Sequence, residues 1–170
     1  MKRRSWRLTQ TPYNYVLKMS TRTLVSRWVP VIAWMVLIFA GSSDVLSAEH
    51  TSRFLVPFLR WLDPHISFAA IAAIHLTMRK LGHLTEYAVL AALLWRAFRG
   101  KIRSTRTFAI AAMAIGLAAL FAASDEFHQS FVATRTASGH DVMIDIGGAI
   151  FGMMICWMLS RKNEPARATI

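Results

Sequence analysis

Charge is scarce in this chain. Asp, Glu, Lys and Arg make up 17 % of its 170 residues, against roughly 25 % in an average soluble domain. Apolar residues make up 55 %. With a mean hydropathy of +0.38, this excludes an ordinary soluble domain and points to a membrane protein. Acidic residues are scarcer than basic ones, 9 against 20, for a net charge of +11. Such an excess can mark a nucleic-acid binder. Here the Lys and Arg residues lie between long apolar runs and form no reading face, which excludes nucleic acid as a partner. Cysteine occurs once, at Cys156 within an apolar run. That excludes an intramolecular disulfide and a cysteine-based zinc site, and leaves a small buried apolar side chain. No His-Glu-x-x-His spacing is present, so no metal or cofactor is expected. No internal or inverted repeat stands out, which argues against a transporter.

Residues 1–23 read as a basic extension, with Met19 as an alternative start. Residues 24–160 read as the transmembrane domain and 161–170 as a short tail. The first apolar run, Trp28 to Gly41, reaches spanning length once Leu24 and Val25 join it, with Arg27 snorkelling to the headgroups. Pro30 is placed near the start of that helix, where proline costs little. Ala40-Gly41-Ser42 would also suit a signal-peptide cleavage site, but the long basic leader favours a retained anchor. Residues 45–63 mix Phe54, Leu55, Phe58, Leu59 and Trp61 with Arg53 and Arg60, a composition for a helix lying in the interface. Ile66 to Met78 is too short to cross alone and reads as an interfacial or partly inserted segment. Further spans are expected at Leu81–Phe98, Phe108–Ala123 (closed by Ser124-Asp125-Glu126) and Val142–Leu159. The expected fold class is all-α: a polytopic membrane helix bundle of about four transmembrane helices plus an interfacial helical segment between the first two.

Loop charge sets orientation. With four spans, fifteen of the twenty basic residues fall on one side, in the leader, the 96–106 loop and the tail. Five fall on the other: Arg53, Arg60, Arg79, Lys80 and Arg135. Both termini are therefore expected in the cytoplasm, with the chain in the cell membrane (the inner membrane where there are two).

The costly polar residues gather at the opposite ends of the spans. They are Lys80, His83, Glu86 and Tyr87; then Asp125, Glu126, Gln129 and Arg135; then Asp141 and Asp145. Lys80, His83 and Tyr87 share a helix face, and Asp141 and Asp145, four apart, share another. Carboxylates one turn inside a span usually face the bundle interior and find a partner. These residues are the expected ligand-binding set, an outward-facing pocket of mixed charge. Each also has a plainer role: Lys80 and Arg135 as headgroup anchors, Asp125 and Glu126 as solvated loop charges, His128 and His140 as loop residues. Gly148 and Gly152 form a small-xxx-small pattern for close helix packing.

Two blocks carry a family resemblance. Arg79-Lys80-Leu81-Gly82-His83-Leu84-Thr85-Glu86-Tyr87 resembles the Lys-x-x-His-x-x-x-Tyr signature of the VanZ-like family. Ser124-Asp125-Glu126-Phe127-His128-Gln129, with Arg135 and Asp141, resembles its Asp-Glu-x-x-Gln block. Ser42-Ser43 and the glycines Gly147, Gly148 and Gly152 are similar to further family positions. The resemblance covers roughly residues 30–160. It implies a small polytopic membrane protein. The family takes its name from a protein associated with resistance to the glycopeptide teicoplanin, and its activity is not established, so no mechanism comes with it.

Two functions follow as expectations. One is a binding protein for a cell-envelope component or lipid headgroup, with the bilayer as its surroundings, a lipid-linked or cell-wall ligand as its partner and room for a homo-oligomer. The other is a membrane-embedded hydrolase or transferase on a lipid-linked substrate, with His83 or Glu126 as general base. Ser138-Gly139-His140 resembles part of a lipid phosphate phosphatase motif, but the later histidine that motif requires is missing.

Overall fold

The computed structural model describes residues 21–42, 48–99, 107–131 and 138–162. Among the described residues there are five helices and no strand: α1 (Thr21–Ser42), α2 (Ala48–Leu62), α3 (Phe68–Phe98), α4 (Thr107–Gln129) and α5 (Gly139–Lys162). Three of them are long and apolar enough to cross a membrane, α1, α4 and α5. Their large apolar side chains face outward, among them Ile32, Val36 and Leu37 on α1, Phe108 and Leu120 on α4, and Phe151, Met154 and Trp157 on α5. A surface of this kind is stable against lipid and not against water.

Two boundaries differ from expectation. Residues 68–98 form one unbroken 31-residue helix, where two separate segments were expected. Ser67 caps it by accepting the Ala70 N–H at 3.1 Å. The isolated Gly82 costs only about 1 kcal/mol and does not interrupt it. At 1.5 Å per residue the helix is about 46 Å long. The second difference is α4, which runs through Ser124-Asp125-Glu126 to Gln129. Asp125, Glu126 and Gln129 do not end the helix because they are buried against neighbouring elements, while Ser124 is exposed.

Pro30 lies in the interior of α1 and not near its start. Proline has no N–H, so the carbonyl of Ser26, four residues back, loses its helical donor. Arg96 of α3 supplies one, donating from Nη2 to Ser26 O at 3.2 Å. The side chain thus repairs a backbone defect that lipid could not solvate.

The bundle closes on small residues. Ile110, Ala114, Ala118 and Ala122, at every fourth position, form the buried stripe of α4. On α5, Gly148 and Gly152 sit against the α3 backbone. A Cβ on Gly148 would lie less than 3.0 Å from Leu84 backbone atoms, and one on Gly152 less than 3.0 Å from those of Ala88. Such close backbone approach is how membrane helices gain packing energy when apolar burial drives little. It matches the role expected of this pair.

Cross-helix contacts fix the helix directions. Arg96 meets Ser26, and Trp34 Nε1 donates to Glu86 O at 2.9 Å, so α1 and α3 are antiparallel. Arg79 meets Asp141 and Arg99 meets Ser160, so α3 and α5 are parallel. Phe39 packs on His128 and Ser42 meets Gln129, so α1 and α4 are parallel. One end of the bundle therefore gathers Ser42, residues 79–87, residues 125–129 and residues 138–145. The other holds Arg96, Arg99 and Arg161, with Arg161 over Trp157 at 4.3 Å and Arg99 over Trp95 at 5.2 Å.

The first three turns of α3 extend past the polar end and carry α2. Ser52 shares a 3.2 Å hydrogen bond with His75, and Arg60 lies over Phe68 at 5.5 Å. Leu55 and Leu59 are half-buried, while Phe54, Phe58 and Trp61 are exposed together with Arg53 and Arg60.

Candidate functional site

Each polar residue continues a buried stripe. On α4 the four-residue repeat of Ile110, Ala114, Ala118 and Ala122 leads to Glu126, with Asp125 and Gln129 beside it. On α3 the buried positions Leu94, Leu90 and Tyr87 lead to His83. On α5 the stripe of Met153, Ala149 and Gly152 leads to Asp145. The same 3.6-residue periodicity that builds the core thus turns these side chains inward at one end.

They separate into two clusters. The first lies along the seam between α3 and α5. Arg79 Nη2 donates to Asp141 Oδ2 at 2.7 Å, with side chains 30 % and 13 % exposed. One turn deeper, His83 Nδ1 and Asp145 Oδ1 are 3.0 Å apart, with side chains 9 % and 1 % exposed. An ionised carboxylate only accepts, so the shared proton belongs to Nδ1, and Nε2 carries the basic lone pair. Glu126 borders this cluster. Its Oε1 accepts the backbone N–H of Ser138. Ser138 in turn caps α5, its Oγ accepting the His140 N–H at 3.2 Å and its carbonyl the Asp141 N–H at 2.8 Å. Glu126 therefore ties the end of α4 to the start of α5. The serine of the Ser-Gly-His stretch is a helix cap here, and His140 is exposed.

The second cluster lies deeper, among α1, α3 and α4. Ser42 Oγ donates to Asp125 Oδ2 at 2.5 Å. Gln129 Nε2 donates to the same Oδ2 at 3.0 Å and to Ser42 Oγ at 3.2 Å. Asp125 is 1 % exposed, and Gln129 and Tyr87 are fully buried. Among the described residues, Asp125 Oδ1, Gln129 Oε1 and the Tyr87 hydroxyl have no hydrogen-bond partner.

Of the expected set, the structure brings His83, Tyr87, Asp125, Glu126, Gln129, Asp141 and Asp145 to one end of the bundle, with Glu86 half-buried beside them. Lys80 is exposed; Arg79 stands in line with His83, one turn away, and takes the ion-pairing role. Arg135 lies outside the described residues. Two participants lie outside the expected ligand-binding set, although both fall in stretches that resemble the family. Arg79 shares a face with His83 and Tyr87 at spacings of four, a signal as good as that of Lys80. Ser42 at the end of α1 was marked by the resemblance alone, because its partner is 83 residues away. His128 is half-buried against Phe39, with ring centroids 4.2 Å apart. No group of three or more His, Cys, Asp or Glu with metal-holding geometry occurs among the described residues.

Comparison with curated proteins and with solved structures gives no significant match. A family model does match, over residues 27–160. That range takes in most of α1, all of α2 to α4 and nearly all of α5, with every residue of both clusters. On that match, which covers well over half of its length, the chain belongs to the VanZ/LLP1 family of membrane proteins.

Proposed function

We propose that the chain crosses the bilayer four times, with both termini and the basic loops in the cytoplasm, and that its outer end binds the polar headgroup of a lipid or lipid-linked envelope component. The fourth crossing is the part of α3 that runs beside α5, from Arg79 to Arg99. Its Arg79, Lys80 and Glu86 make it too polar to stand out by composition; Arg79 is offset by Asp141, and Lys80 is exposed at the polar end. α2 lies in the outer interface, with Phe54, Phe58 and Trp61 in the acyl boundary and Arg53 and Arg60 at the phosphates.

The observation that carries the binding reading is the graded exposure of the α3–α5 seam. Its pairs run from a half-open Arg79–Asp141 to a closed His83–Asp145. The open pair presents a guanidinium suited to phosphate or carboxylate. Glu86, Glu126, Asp141 and Asp145 outnumber the basic Arg79 and His83 there. A headgroup carrying both an anion and N–H donors satisfies both signs. Phosphatidylethanolamine is the simplest probe of that chemistry. Protein in nanodiscs of phosphatidylethanolamine should be more heat-stable than in phosphatidylcholine, and Arg79→Gln should erase the difference. Equal stability in both lipids, or a difference unaffected by Arg79→Gln, would refute the reading.

One observation favours a second reading. A histidine held by a buried carboxylate, with its other nitrogen basic, is the arrangement of a general base. It supports a hydrolase or transferase on a lipid-linked substrate, with His83 as base. Turnover of a lipid-linked phosphate by the purified protein, lost in His83→Ala, is the result that reading requires.

A further inference from the structure

Among the described residues, no ion pair reaches the carboxylate of the inner cluster. Asp125 is 1 % exposed, and its two hydrogen-bond donors, the Ser42 hydroxyl and the Gln129 amide, are neutral. Both donate to Oδ2, leaving Oδ1 unpartnered. Among the described residues of the polar end, Arg79 pairs with Asp141 and His83 with Asp145, while Lys80 is exposed. A buried ionised carboxylate left this way is costly.

Three further features favour a positive charge at this point. Gln129 Oε1 and the Tyr87 hydroxyl are buried oxygens without partners. The Gln129 orientation is fixed by chemistry, because the flipped amide would set its oxygen against the Asp125 carboxylate. Ser42 is the last residue of α1 and Gln129 the last of α4. Two helix C-termini therefore converge here, each adding partial negative charge. The oxygens are one carboxylate, one amide, one phenol and one hydroxyl. That set neutralises a single positive charge and contains only hard donors.

We propose that Ser42, Tyr87, Asp125 and Gln129 bind a monovalent alkali cation, Na+ or K+, at the junction of α1, α3 and α4. The ion draws together the ends of α1 and α4 and braces the floor of the polar end. This site is independent of the headgroup reading, because it lies among different side chains and its test involves no lipid preference.

The experiment is thermal unfolding of the full chain in nonionic detergent. NaCl or KCl is titrated against choline chloride at constant ionic strength, since choline is too large for the site. A ligand that binds only the folded state raises Tm with its concentration. The expected result is a rise of roughly 5 °C from choline to saturating Na+ or K+. The rise should vanish in Asp125→Asn, shrink in Tyr87→Phe and Gln129→Leu, and persist in Thr85→Ala, whose side chain is exposed. Identical Tm in all three salts overturns the proposal, as does a cation response that survives Asp125→Asn. If Asp125→Asn does not fold, the wild-type titration and Tyr87→Phe decide, and an undiminished response in Tyr87→Phe overturns the tyrosine's part in the site.

Discussion

Two adjacent glycines on α5 should respond to the same substitution with opposite signs. At Gly148 a Cβ would lie less than 3.0 Å from backbone atoms of Leu84, whereas at Gly147 it would meet nothing within 4 Å. In a helix, Ala is favoured over Gly by up to about 1 kcal/mol. Gly147→Ala should therefore leave stability unchanged or raise it by that amount. Gly148→Ala gains the same helix propensity but forces α5 away from α3, because the obstructing atoms are backbone and cannot rotate aside. Overpacking of this kind costs roughly 1–3 kcal/mol. The displacement also acts at the site, since Gly148 is three residues from Asp145 and Leu84 is next to His83. The His83–Asp145 hydrogen bond should lengthen. Reversible unfolding in mixed micelles measures the first effect. The imidazole NMR signals of His83 measure the second. If Gly148→Ala is as stable as Gly147→Ala, the close α3–α5 contact is wrong and with it the seam geometry.

Other consequences concern single contacts. Arg96→Gln should cost about 1 kcal/mol by removing the donor to Ser26 O. That cost should shrink in a Pro30→Ala background, where the helix regains its own N–H, and a double-mutant cycle reads the difference. His83→Leu or Asp145→Leu alone should each destabilise by about 3–5 kcal/mol, because each strands a buried partner. The double variant should recover much of the loss in the same unfolding assay. Glu126→Gln keeps an acceptor for the Ser138 N–H and should cost under about 1 kcal/mol, whereas Glu126→Ala should cost roughly 1–3 kcal/mol and fray the first turn of α5 in hydrogen exchange.

Much of this was legible in the sequence because membrane helices obey simple rules. Apolar run length located α1, α4 and α5, and the Gly148–Gly152 spacing marked a close helix contact on α5, whose partner proves to be α3. What escaped was governed by partners distant in sequence. The acidic run at Ser124-Asp125-Glu126 looks like a helix end, yet α4 continues because groups outside it, the Ser42 hydroxyl and the Ser138 N–H, donate to the Asp125 and Glu126 carboxylates. Ile66 to Met78 looks too short to span, and its continuity with α3 depends on the Ser67 cap and the absence of a strong breaker. The choice between Lys80 and Arg79 depended on which faces α5, a rotation that neighbouring positions do not specify. Tyr87, singled out by its place on the face of His83 and by the family signature, proved to be fully buried.

In the proposed topology α3 crosses the membrane, and the polar clusters open away from the cytoplasm. Cysteine labelling with a membrane-impermeant maleimide tests both, in a Cys156→Ala background that leaves each introduced thiol alone. Asp63→Cys and His140→Cys lie at the polar end and Arg161→Cys at the other, and all three native side chains are exposed. The expected result is that Asp63→Cys and His140→Cys label on intact cells or spheroplasts and Arg161→Cys labels only after permeabilisation. The reverse pattern, or labelling of Asp63→Cys and His140→Cys from opposite sides, would contradict it.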